Sequence, residues 1–170
     1  MSEPSGKVFR HCPKPDGSFV EALVPDPLES EWVYVNDSRT YPDIGQGLFA
    51  KKDVPAQTVV SFFGGRLVTT LEWESLNLYE PIYWRILDED WFVYLPDDIG
   101  KDLTIYGASL GHKINHSFSK ANCRFIEQFH PRFGIVPAAI TTSAIKEHEE
   151  ILCNYDIPFE NGSPWYQELW

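Results

Sequence analysis

Basic residues are scarce in this 170-residue sequence: Lys and Arg number 14 against 25 Asp and Glu, for a formal net charge of −11. That shortage argues against direct nucleic-acid binding, which needs a basic footprint to meet phosphates. A basic peptide is the better electrostatic match, because an acidic surface speeds its encounter. The same acidity also serves solubility, and charge alone leaves those two readings even. Cysteine is scarce too. Cys12, Cys123 and Cys153 are far apart and form no CxxC pair, so neither a disulfide framework nor a structural zinc site is indicated, and no metal is expected. No apolar run reaches membrane-spanning length, and the first fifteen residues lack the apolar stretch of a signal peptide. The expectation is a soluble chain from a reducing compartment with no membrane association, in which the N-x-S triplets at Asn36, Asn115 and Asn161 carry little weight as glycosylation sites.

Aromatic residues are abundant: 15% of the chain, with six Trp and eleven Phe. Disordered chains are poor in them, so this one folds, and its length suits a single domain with a real core. The 13 Pro and 11 Gly are spread throughout, which predicts short elements joined by many turns. Residues 1–31 read as an irregular flank, punctuated by proline. Strands are predicted at Trp32 to Val35, Thr58 to Phe63, Trp91 to Leu95 and Ile151 to Asn154, with a hairpin of Cys123 to Phe129 and Phe133 to Ala139 around His130-Pro131-Arg132. Thr69 and Glu72 fit a helix capping box, with Leu71, Leu76 and Tyr79 as the apolar face. The predicted class is mainly β with one or two small helices (β+α), without the strand–helix alternation of a parallel α/β fold. The division expected is 1–31 flank, 32–157 central domain and 158–170 C-terminal flank.

Three stretches stand out. Gly45-Gln46-Gly47 is a tight turn leading into Leu48-Phe49-Ala50; Ala50 stands where a dinucleotide-binding fingerprint needs its third glycine. His112 and His116 are spaced i, i+4, as metal ligands on a helix are. Yet Lys113 replaces the glutamate of a zinc-hydrolase signature and no further ligands follow, so a buried polar turn around Asn115, His116 and Ser117 is the plainer account. Tyr155 directly follows a strand, by default as a core residue with its hydroxyl at the surface, and a Trp-rich tail runs from Pro164 to Trp170.

In this order and spacing these residues resemble the SET-domain protein lysine methyltransferases, from about Pro25 to Tyr166. The stretches that carry the likeness are Asp26 to Glu31, Gly45 to Phe49, Gly111 to Phe118, His130 to Gly134 and Trp165 to Gln167. The chain is most similar to the branch of histone H3 lysine monomethylases that carry MORN repeats, and those repeats are absent here.

The resemblance implies a fold of several small β-sheets, short helices and a C-terminal pseudoknot. It implies S-adenosylmethionine as cofactor, held by Ile44, Gly45, Gln46, Asn115, His116 and Trp165, with Glu168 one position out of register for a further contact. Tyr155 takes the place of the family's catalytic tyrosine, in a substrate channel shared with Phe63 and Phe125. Both phenylalanines stand where the monomethylases have tyrosines, and Phe at the second position tends to permit di- or trimethylation. The implied partner is a basic protein such as a histone tail, histone H3 first, taken by a monomer in the nucleus or cytoplasm. A weakly active or inactive SET-fold module that binds peptide or cofactor is the alternative.

Overall fold

The computed structural model describes residues 18–19, 21–40, 43, 45–76, 83–157, 160, 164 and 166. Its elements are short, as the proline and glycine distribution predicts. In chain order they are α1 (Pro27–Trp32), β1 (Val33–Asp37), β2 (Gln46–Ala50), β3 (Val59–Phe62), β4 (Arg66–Thr69), α2 (Thr70–Ser75), β5 (Trp84–Ile86), β6 (Trp91–Tyr94), α3 (Asp97–Gly100), β7 (Asn115–His116), β8 (Cys123–His130), β9 (Gly134–Thr141) and β10 (Glu150–Cys153), with a 3₁₀ turn at Gly111–Lys113.

The described strands form two sheets. Seven build the larger one in the order β1-β2-β10-β8-β9-β3, with β7 joining β10 off this path. The β8–β9 hairpin is its longest ladder, running from Cys123 opposite Thr141 to His130 opposite Gly134. Strand β10 runs antiparallel to β2 but parallel to β7 and β8, so the last of the described strands lies inside the sheet. The smaller sheet has the order β4-β6-β5. Two apolar clusters fill the body. One gathers Val33, Leu48, Val60, Ile114 and Ile151, and the other Phe62, Leu95, Tyr106, Phe133 and Val136.

The flank read as irregular contains a helix, and this corrects the sequence reading. A six-residue helix is too short to show periodicity, but its start is chemically explicit. Pro27 occupies the first turn, where its missing N–H costs nothing, and the Asp26 carboxylate accepts from the amides of Leu28 and Glu29. The other Asp26 oxygen meets His130 Nε2 at 2.7 Å, pinning α1 to the β8–β9 hairpin. One turn on, Glu29 is buried and its Oε1 accepts from Ser61 Oγ at 2.6 Å, Phe62 N at 2.8 Å and Leu110 N at 2.9 Å. Burial pushes its carboxyl up to about 8 against the pull of those three donors.

A second correction concerns α2. Its capping box forms as predicted, Thr69 and Glu72 exchanging hydrogen bonds. Leu71, however, is 79% exposed. The helix packs through Trp73, which stacks on Phe92 with centroids 5.0 Å apart and planes 3° from parallel, and meets Trp84 at 5.4 Å. Of the apolar face expected, Leu76 is half-buried, and flat aromatic contact area takes the place of Leu71. Tyr79 lies outside the described residues.

Candidate active site

The three residues placed by sequence at the reacting centre come together through β7. Asn115 and His116 form that strand, paired in parallel with Leu152 and Cys153 of β10, and Tyr155 follows β10 by two residues. Its hydroxyl donates to the Ile114 carbonyl at 2.8 Å, and its backbone amide donates to His116 Nδ1 at 3.1 Å. Because Nδ1 accepts, the neutral ring carries its proton on Nε2. Burial, helped by the positive charge of Arg85, pushes the His116 pKa down to about 4, so the neutral form holds at pH 7. The imidazole packs at 4.1 Å from the Phe118 ring and 4.7 Å from that of Tyr166, itself fully buried. Its Nε2 is buried and has no partner among the described residues.

Asn115 is tied to the start of β2. Its amide nitrogen donates to the Gln46 carbonyl at 3.2 Å and to Glu150 Oε1 at 3.1 Å. The same carboxylate accepts from Ser38 Oγ at 2.8 Å, Arg39 N at 3.1 Å and Thr40 N at 2.9 Å. The strand begins two residues earlier than predicted: Gly45 adopts φ +94° in the turn, while Gln46 and Gly47 already belong to β2. Gly45 meets the conformational need, and Gly47 a steric one, since a Cβ there would collide with Glu150 Oε1 and reach Asn115 Nδ2 at 3.1 Å.

Of the three residues assigned to a substrate channel by resemblance, Phe63 and Phe125 face each other edge to face with centroids 6.3 Å apart. Tyr155 joins Phe125 through a residue the sequence reading missed. The Arg85 guanidinium lies 4.3 Å from the Phe125 centroid and 4.5 Å from that of Tyr155, and Nη2 donates to Cys153 Sγ at 3.2 Å. Burial pushes the Tyr155 pKa well up, so its hydroxyl stays a protonated donor. Ile44, Trp165 and Glu168 lie outside the described residues.

The i, i+4 histidines serve different neighbours. His112 Nε2 meets the Gly100 carbonyl at 3.1 Å, with its ring against Tyr83 and Tyr106. Among the described residues no group of three or more His, Cys, Asp or Glu could hold a metal ion, and no helix is long and apolar enough to cross a membrane.

Comparison with known proteins decides the family, because residues 45–156 match the SET domain. The chain belongs to the SET-domain family. Its mostly-strand architecture is the SET fold, as the sequence led us to expect. A histone-lysine N-methyltransferase SETD7 from Halocynthia roretzi is 37% identical to this SET domain and its flanks over 142 residues, covering 83% of this chain and 36% of that protein. The chain therefore spans little more than a third of that relative's length. Among solved structures, the Chaetomium thermophilum polycomb repressive complex 2 aligns with 74% of this chain and 15% of its own, at a TM-score of 0.55 and 23% identity. The ctPRC2 in an autoinhibited conformation bound to S-adenosylmethionine aligns with 82% of this chain and 16% of its own, at 0.56 and 22%. At that identity the likeness is one of fold.

Proposed function

We propose that this SET domain is an S-adenosylmethionine-dependent protein-lysine N-methyltransferase acting on basic protein tails, histone H3 first, and forming di- or trimethyl-lysine. The observation that carries the reading is the fastening of Tyr155 to both ends of one strand segment, its hydroxyl at Ile114 and its amide at His116, with Asn115 between them. The SETD7 relative, named a histone-lysine N-methyltransferase, and the solved complex bound to S-adenosylmethionine support it.

The residues suit such a cofactor. The Nε2–H of His116, without a partner among the described residues, is a buried donor beside the ring of Tyr166, and Gly45 and Gln46 bring backbone to the Asn115 amide. Gly45, Gln46, Asn115 and His116 would hold the cofactor, with Ile44, Trp165 and Glu168 assigned to it from sequence. When bound, it supplies a methyl group on a positively charged sulfonium.

A lysine amine attacks only when neutral, yet a free lysine has a pKa of about 10.4. Phe63 and Phe125 offer apolar faces that desolvate the ammonium and favour the neutral amine. Tyr155, committed as donor to Ile114, keeps its oxygen lone pairs beside the path of the methyl. The rest of the catalysis is alignment. The lack of a hydroxyl on either phenylalanine leaves room for a lysine that already carries methyl groups. By the family resemblance, we place the protein as a monomer in the nucleus or cytoplasm.

The test is incubation with labelled S-adenosylmethionine and core histones, with Tyr155→Phe as control. We expect transfer that falls about a hundredfold in the variant, the scale of a lost alignment. Equal rates would overturn the mechanism. Cofactor binding without transfer would favour a SET-fold binding module.

A further inference from the structure

Strand β5 belongs to the small sheet, yet one of its side chains reaches the site. Alternation along the strand turns Trp84 towards Trp73 and Phe92, so the next residue, Arg85, points to the opposite face, where β10 ends. There its guanidinium lies on the rings of Phe125 and Tyr155 at 4.3 and 4.5 Å, well within the roughly 6 Å range of a cation–π contact. Its one hydrogen bond among the described residues goes to a thiol sulfur, a weak acceptor. Among those residues no carboxylate forms an ion pair with it. The two ring faces are what hold this charge.

Those rings are also the ones assigned above to the substrate lysine. A ring face already covered by a guanidinium does not accept a second cation, and a lysine ammonium arriving there meets like charge at close range. We propose that Arg85 controls substrate entry: it fills the aromatic cation position, and a lysine enters only by displacing it. This rests on the channel assignment of Phe63, Phe125 and Tyr155. It shifts the burden of recognition. With the channel's cation affinity already satisfied internally, discrimination between lysines passes to contacts made by the residues flanking them.

The test uses the full chain and n-butylammonium, the end group of lysine, as probe, followed by NMR. Arg85→Ala removes the plug, and Arg85→Met keeps an unbranched stem without the charge. Both are checked for an intact thermal transition. We expect about tenfold tighter n-butylammonium binding in either variant, the scale of one partly buried cation–π contact. In the wild type, the Arg85 Nε–H signal moves together with the Tyr155 ring signals as the probe is added. Equal or weaker binding in the folded variants, or Tyr155 signals that move while Arg85 stays fixed, would overturn the proposal. Label transfer to a lysine-peptide array should rise and spread to more peptides in Arg85→Met. No label from any of the proteins, with the binding difference intact, would instead sink the methyltransferase reading alone.

Discussion

The side chains of Asn115 and Glu150 stand together, the amide of the first donating to the carboxylate of the second over 3.1 Å. Three further donors, Ser38 Oγ and the amides of Arg39 and Thr40, converge on that carboxylate. One acid therefore fixes both the asparagine and the chain that leads into Gly45. Burial pushes the Glu150 carboxyl up, but the hydrogen bonds from Asn115, Ser38 and Thr40 outweigh it and hold the carboxyl below its usual value.

Glu150→Gln should destabilise the protein by about 1–3 kcal/mol at pH 7, because an amide group then faces donors that lose their acceptor. A depressed carboxyl contributes stability above its unfolded-state value of 4.5 and loses it as pH falls through the lower folded value. The gap between variant and wild type should narrow in acid. Urea denaturation at pH 7 and pH 3 measures both, and a gap that widens in acid would contradict the assignment.

Glu29 titrates with the opposite sign. Its folded-state value is raised from 4.5 to about 8, so between those limits the native state holds a proton that the unfolded chain has released. Its contribution to stability is full below pH 4.5 and is lost as pH rises to about 8. Glu29→Gln imitates the protonated acid and should flatten that slope in a series of thermal melts. Glu29→Ala leaves the Ser61, Phe62 and Leu110 donors unmet and should cost about 3 kcal/mol or more.

Phe125→Tyr restores a hydroxyl beside Tyr155 and the Arg85 guanidinium. On the proposed function it should confine the product to monomethyl-lysine, while the wild type proceeds further. Mass spectra of a methylated peptide at long reaction times decide this. A wild type that stops at one methyl would refute the reading of the two phenylalanines.

Asn115→Asp places a second carboxylate within about 3 Å of Glu150. Two such groups do not both ionise at that range, so one takes a proton or the pair separates. S-adenosylmethionine affinity measured by calorimetry should fall at pH 7 and partly recover near pH 5. An affinity unchanged at both values would mean that Asn115 does not hold the cofactor.

The parts legible in sequence were those whose cause is local. The hairpin around His130 announces itself by flanking apolar runs and a Pro-Arg turn, and the capping box by Thr69 and Glu72. Asn115, His116 and Tyr155 were legible through the resemblance, which fixes their order along the chain. Short elements escaped, since neither α1 nor the two-residue β7 is long enough to carry a period. Arg85 and Glu150 escaped for another reason. Their partners lie 68 and 35 positions away, and nothing in Trp84-Arg85-Ile86 says which sheet face the arginine will meet. An isolated charge between two apolar strand residues was the only available signal.

Strand β10 lies between β2 and β8 and also holds β7, although among the described strands it is made last. Until Glu150 to Cys153 emerge, β2 and β8 have open edges that face no partner, and the strand bearing Asn115 and His116 has nothing to lie against. Closing such long loops is slow. The site is therefore completed only once β10 and Tyr155 have been made. A truncation before Glu150 would remove both the strand that pairs with Asn115 and His116 and the carboxylate that holds the asparagine.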